Sequence, residues 1–188
     1  ENQLVDQSGQ GNDGTVTGTP TNVTGMIGSA LDFDGTADFV TADGVDLRTD
    51  AFTIVGWVNA DTLATQSIIN ARQDYIRVDT TSSKLRFSVY NTSATVVSTV
   101  ENILPGVWYH FAAVYDTNKI ISLYLNGEHQ SAASGGGISF DSTAFSIGAR
   151  GYNNDEFFDG TIDEVAVYDV SLSNETIKQL YQRTWYDH

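Results

Sequence analysis

The residues best suited to chemistry in this chain are oxygen ligands. Asp163 lies in the run Thr161-Ile162-Asp163-Glu164-Val165-Ala166-Val167-Tyr168, whose alternation reads as a strand. Period-2 geometry puts Asp163 on the face of Val165 and Val167, with Glu164, Ala166 and Tyr168 on the other. A carboxylate on a core face must be held by backbone amides or by a cation. In the opening loop, Asp6, Asn12 and the Gly14 carbonyl supply further oxygens. Together with Asp163 they are expected to form a calcium site, since hard oxygen donors without His or Cys suit calcium or magnesium better than zinc. The alternative is that Asp6 and Asn12 build turns while Asp163 accepts amide hydrogen bonds. Asp32, Asp34 and Asp38 group around Gly35 but lack the distal Glu of an EF-hand loop. They read as a solvated strand face entering a turn.

Sugar recognition needs flat apolar surface combined with directional polar groups. Arg72, Tyr75, Arg77, Arg86, Tyr90, Arg150, Tyr152, Asn153 and Asn154 offer both, and they are the expected ligand-binding residues of one sheet and its loops. The segment 151–156 is the best single candidate, being polar, aromatic-tipped and placed just before the strand that carries Asp163. Arg77 and Arg86 also suit ordinary cross-strand ion pairs. Catalysis is not expected. A glycosidase needs carboxylates about 5 to 10 Å apart across a cleft, whereas Asp163 and Glu164 are neighbours pointing to opposite strand faces. His110, His129 and His188 are dispersed and no Gly-x-Ser-x-Gly elbow accompanies them, so His110 reads as a satisfied sheet residue. Trp57 and Trp108, inside hydrophobic strands, read as core.

Short β-branched and aromatic runs between Gly, Asn, Asp and Thr clusters must position these groups, and they predict an all-β antiparallel sandwich. Residues 120–125 and 128–133, joined by Asn126-Gly127, predict a hairpin with a two-residue turn. One short C-terminal helix is expected, capped by Ser173, with Glu175 at its positive end and Ile177, Leu180 and Tyr181 on one face. The Gly135-Gly136-Gly137 run reads as a loop and not a phosphate cradle, because no strand-to-helix context follows it.

Several segments carry a family likeness: Asp6-Gln7-Ser8-Gly9-Gln10-Gly11-Asn12-Asp13-Gly14, Ala30-Leu31-Asp32-Phe33-Asp34-Gly35, Phe52-Thr53-Ile54-Val55-Gly56-Trp57-Val58, Pro105-Gly106-Val107-Trp108-Tyr109-His110-Phe111, Leu123-Tyr124-Leu125-Asn126-Gly127 and the late run from Phe157 to Ile177. In this order the chain resembles the laminin-G-like, concanavalin-A-like jelly rolls over nearly its whole length. The resemblance implies a jelly-roll β-sandwich and raises the expectation of calcium, with Asp163 the best match to a late-strand acid. It leaves function open, because the fold hosts lectins, adhesins, hydrolases and structural modules.

A single domain over residues 1–183 is expected, large enough to bury a core without staples. The family's first aromatic strand looks missing ahead of Asp6, and the aromatic tail 184–188 reads either as a frayed tag or domain-end fragment or as a complementing strand, within one subunit or by exchange between subunits. The chain has no cysteine and a net charge of −15, from 24 acids against 9 Lys plus Arg. That charge argues against nucleic acid and against anionic membranes. No run approaches the roughly 18 apolar residues of a membrane span. Sequons at Asn22, Asn91 and Asn174 would permit N-glycosylation. The chain opens on Glu1 without a signal-peptide pattern, and a processed or excised chain is the expectation. The expected function is an extracellular, non-catalytic, calcium-stabilised module that recognises a glycan or protein at a cell surface. The alternative is a self-assembling subunit of a filament, sheath or surface layer.

Overall fold

The computed structural model describes residues 3–42, 44–47, 49–71, 76–90, 94–138, 145–150 and 155–186. In chain order the strands are β1 Gln3–Leu4, β2 Gly14–Thr17, β3 Thr21–Thr24, β4 Ser29–Asp34, β5 Phe39–Ala42, β6 Phe52–Ala60, β7 Gln66–Ala71 and β8 Ile76–Thr81. They continue with β9 Lys84–Tyr90, β10 Ala94–Ser98, β11 Trp108–Tyr115, β12 Ile120–Leu125, β13 Glu128–Ser134, β14 Phe145–Ile147 and β15 Asp159–Tyr168, before the helix α1 Asn174–Tyr186. An eight-stranded sheet runs β1-β2-β5-β14-β7-β8-β9-β10, and a seven-stranded sheet runs β13-β12-β11-β6-β15-β4-β3. Every described pairing is antiparallel. The expected jelly-roll sandwich is therefore the observed one.

Alternation builds the core between the sheets. Across the eight-stranded sheet, one row of register partners reads Val16, Val40, Ile147, Ile69, Val78, Phe87 and Val97. From the other sheet, Phe52, Ile54, Val58, Phe111, Ala113, Leu123 and Ile162 meet it in one cluster. Each fully buried side chain of this size is worth about 2 kcal/mol in area removed from water. The expected hairpin forms: Asn126 and Gly127 both take positive φ, 50° and 78°, between β12 and β13.

The helix starts where its cap predicts, with Ser173 Oγ accepting the Thr176 amide at 3.2 Å. Its apolar stripe lies on the outside of the seven-stranded sheet. Ile177, fully buried, joins Val55, Ala112, Val114 and Tyr124 there, with Leu180 packed alongside. Tyr181 rests on Trp57 with ring centroids 5.6 Å apart.

Two expectations are corrected by this architecture. The tail is not a strand, because α1 continues through Tyr186; once Ile177 and Tyr181 commit the segment to helix, the next turn extends it. The motive for strand exchange by residues 184–186 falls with it, and Asp187 and His188 lie outside the described residues. At the other end, Gln3 and Leu4 form a short strand on β2, with Gln3 opposite Thr15. The second correction is the face of Asp163. Asp163 pairs with Trp57 and Ala166 with Val55, so β15 carries one extra residue, and Glu164 takes φ 50° at the bulge. Strict alternation fails there: Asp163 faces outward with Trp57, while Val165 and Val167 pack on the core.

Candidate ligand-binding face

The register that makes an apolar inner row makes a polar outer row beside it. Reading across the eight-stranded sheet, the outward partners are Thr15, Thr41, Ser146, Asn70, Arg77, Ser88 and Val96. A second outward row is Ser67, Asp79, Arg86 and Ser98. Ser67, Asn70, Asp79 and Ser146 are buried although they point away from the core. They sit at the centre of the sheet, and neighbouring backbone closes over them: the Ser67 amide donates to the Glu156 carbonyl at 2.8 Å, and Ser146 Oγ donates to the Ala149 carbonyl at 2.9 Å.

Arginine and carboxylate alternate across this surface. Arg86 Nε donates to Asp79 Oδ1 at 2.7 Å, and its terminal nitrogen lies at the same distance. Arg77 Nε stands 3.2 Å from Asp79 Oδ2, an ion contact outside good hydrogen-bond alignment. The other end of the Arg77 guanidinium grips Glu156, and Arg150 reaches the second Glu156 oxygen at 3.5 Å. The result is a continuous chain Arg86–Asp79–Arg77–Glu156–Arg150. Asp79 is only 1 % exposed, and an acid so buried is tolerable because two guanidinium groups flank it. Tyr90, 45 % exposed, shares the outward face at the end of β9.

Glu156 also belongs to a cleft of about 520 Å³ at the sandwich rim, between the turn at Asp34–Thr36, the loop at Thr62–Thr65, and the segment from Asp155 to Asp159. Phe157 in its wall packs against Phe39 at 6.3 Å. Asp34 Oδ1 accepts the Thr36 and Ala37 amides at 2.8 and 2.9 Å, and Oδ2 accepts the Thr36 hydroxyl at 2.6 Å. Those bonds, the Thr36 hydroxyl foremost, hold the Asp34 carboxyl down at about 2. Burial, with Asp159 and Asp32 nearby, pushes Asp61 up. Asp38 is a buried acceptor for the Thr19 amide at 2.7 Å and not the solvated residue its spacing suggested.

Of the expected recognition residues, the structure therefore gathers Arg77, Arg86 and Arg150 into one network and puts Tyr90 on the same face. Arg72, Tyr75, Tyr152, Asn153 and Asn154 lie outside the described residues, as does Asn91. Asp79, Asn70, Ser67 and Ser146 were missed. The signal for Asn70 and Ser146 was a single polar residue beside apolar neighbours, as in Phe145-Ser146-Ile147.

The expected ion ligands are found in two places. Asp6 accepts the Ser8 amide and hydroxyl, each at 2.8 Å, and the Asn12 amide at 3.0 Å, which lowers its pKa, the Ser8 hydroxyl contributing most. Gly14 continues the same edge as part of β2. Asp163 belongs to the other sheet: its Oδ2 accepts the Met26 and Ile27 amides at 2.7 and 3.1 Å, and its Oδ1 the Glu164 amide at 2.8 Å. This is the turn-and-amide arrangement, and among the described residues no group of three or more His, Cys, Asp and Glu is set to hold an ion. Asn22 is exposed on the edge strand β3, and Asn174, at the start of α1, accepts the Tyr124 hydroxyl. His110 differs from expectation as well. Its backbone amide donates to Asn126 Oδ1 at 2.9 Å, yet its buried Nδ1 has no hydrogen-bond partner, and burial pulls its pKa down to about 4.

Two antiparallel sheets, an apolar core between them and a polar outer face with its rim cleft define a lectin-like β-sandwich. The chain belongs to the concanavalin A-like lectin/glucanases superfamily, whose family model matches residues 34–178. No curated protein sequence matches it. Among solved structures it is similar to domain 4 of AbnA, a GH43 extracellular arabinanase from Geobacillus stearothermophilus, in complex with arabinotriose. That pair has 22 % identity and a TM-score of 0.82 over 96 % of this chain and 94 % of the other. It is similar too to the binding domain of botulinum neurotoxin DC in complex with SialylT, with 14 % identity and a TM-score of 0.78; the match takes 97 % of this chain but 49 % of that one. A native heptameric SAP-like pentraxin from Limulus polyphemus shares the fold at 16 % identity and a TM-score of 0.67, over 81 % of each chain.

Proposed function

We propose that this chain is a non-catalytic, extracellular carbohydrate-binding module whose ligand docks on the outer face of the eight-stranded sheet and the adjoining rim cleft. The observation that carries this reading is the Arg86–Asp79–Arg77–Glu156–Arg150 network on an outward sheet face. Fixed guanidinium donors and buried polar neighbours are the directional half of a sugar site, and Tyr90 and Phe157 are aromatic surface beside them. The likeness to a domain seen with arabinotriose and to one seen with SialylT supports the same class of ligand.

A binding role without chemistry fits the carboxylates in the cleft. Asp34 is held at about 2 by its turn, opposite to the raised pKa of a general acid, and both Glu156 oxygens face arginines. Among the described residues no helix is long and apolar enough to cross a membrane. Isothermal titration with a panel of tri- and tetrasaccharides tests the proposal. Binding of at least one of them, weakened about tenfold or more by Arg86→Ala, is the expected result; absence of binding across the panel, or equal binding by the variant, overturns it.

A further inference from the structure

The site's own chemistry points to a narrower ligand class, an inference that rests on the carbohydrate-binding reading above. We propose that the ligand is an acidic oligosaccharide, and that the Glu156 carboxylate occupies the place of the ligand's carboxylate between Arg77 and Arg150 until the ligand displaces it.

Three observations meet at this point. The first is the distribution of charge. The chain carries 24 acids and only 9 Lys plus Arg, yet Arg77, Arg86 and Arg150 stand in one network on one face. Asp79 and Glu156 are two of their counter-ions, and displacing Glu156 raises the positive charge that an incoming carboxylate meets at Arg77 and Arg150. In so acidic a protein three guanidinium groups on one face stand out, and their planar forks match a carboxylate in geometry.

The second observation is the difference between the two counter-ions. Asp79 is 1 % exposed, fixed mid-strand and shared by Arg77 and Arg86. Glu156 is 24 % exposed and lies outside any strand, in the wall of the cleft. Asp79 is part of the sheet, whereas Glu156 can rotate away from both arginines without disturbing a strand.

The third is backbone strain. Glu156 takes φ 50°, a left-handed conformation uncommon for a residue with a side chain, immediately after the Arg150–Asp155 bridge. Its carbonyl is anchored by the Ser67 amide at 2.8 Å, so the backbone aims this side chain at the arginines. A carboxylate held by its own chain between two guanidinium groups lowers the apparent affinity for a competing carboxylate by the fraction of time the place is taken.

The test is isothermal titration of the full chain and of Glu156→Gln with trigalacturonic acid, its methyl ester, 3′-sialyllactose and lactose. The two acidic probes distinguish uronate from sialate, and the ester and lactose are their neutral counterparts. The wild type is expected to bind an acidic probe more tightly than its neutral counterpart. Glu156→Gln is expected to tighten the acidic probe about tenfold relative to its neutral counterpart. Circular dichroism melting confirms that the variant is folded, and wild-type affinity for the acidic probe falling steeply with added salt is a second readout. Equal binding of acidic and neutral probes overturns this inference while leaving the carbohydrate-binding reading standing. Weaker acidic binding by a folded Glu156→Gln overturns the displacement. Absence of binding to every probe, with the oligosaccharide panel above also blank, removes both together.

Discussion

The two sheets turn opposite surfaces outward. Outside the seven-stranded sheet, Val55, Trp57, Ala112, Val114 and Tyr124 are apolar or aromatic and lie under α1. Outside the eight-stranded sheet, the row from Thr15 to Ser88 is polar, and among the described residues no helix crosses it. The same alternation produced both. Where the outward residues are apolar, burial demands a cover, and Ile177, Leu180 and Tyr181 supply one. Where they are arginine and acid, the charges compensate one another and no apolar cover is demanded. The contrast amounts to a division of labour: one outer face contributes stability and the other is the one to which the proposed function assigns recognition.

Mutation should separate the two roles. The largest effect is expected from Trp57→Ala, which empties the space beneath Tyr181 and His110 and should cost about 4 kcal/mol in urea unfolding. Oligosaccharide affinity of the folded fraction should be unchanged; a matching loss of affinity would break the division.

Next comes pH. His110 is buried beside Trp57 and Tyr181 with its pKa lowered from 6.5 to about 4. The unfolded chain therefore binds a proton that the folded chain refuses. Stability is fully present above about pH 6.5 and is lost as pH falls toward about 4, by about 3 kcal/mol in total. His110→Leu should flatten that part of the profile, as read by thermal melting across pH. Asp34 acts lower on the scale: its pKa is depressed, so its contribution holds above 3.8 and disappears as pH approaches about 2.

On the opposite face, Arg86→Ala removes the better-aligned of the two partners of buried Asp79 and should cost about 2 kcal/mol of stability, with Arg77 still facing the carboxylate, while also weakening ligand binding. The smallest effect concerns calcium. Amides already satisfy Asp163, and Asp6 is satisfied within its own turn, so EDTA is expected to leave the melting temperature unchanged; a clear downward shift would instead support calcium binding.

Particular residues show where sequence sufficed. Asn126-Gly127 defined its hairpin because a two-residue turn with positive φ has few other solutions. Ser173 and the 177/180/181 stripe defined the helix start and its buried face, but helix propagation through Tyr186 overrode the alternating look of the tail. Arg77 and Arg86 were legible as cross-strand ion-pair residues because opposite charges recur on neighbouring strands. Their common partner Asp79 was not, since an acid inside Ile76-Arg77-Val78-Asp79 is identified only once β8 and β9 are in register. Asp163 was legible as an acid needing partners. Its face was not, because one bulge residue reverses every side chain beyond it, and nothing local in Glu164-Val165 announces the extra residue.

The most direct test of the division of labour is an amide chemical-shift map of the isotope-labelled protein titrated with its best-binding oligosaccharide. Shifts concentrated at Asn70, Arg77, Asp79, Arg86, Arg150 and Glu156, with Trp57, Ala112 and Ile177 unmoved, are the predicted result. Shifts concentrated beside α1, or around Asp6 and Asp163, would contradict it.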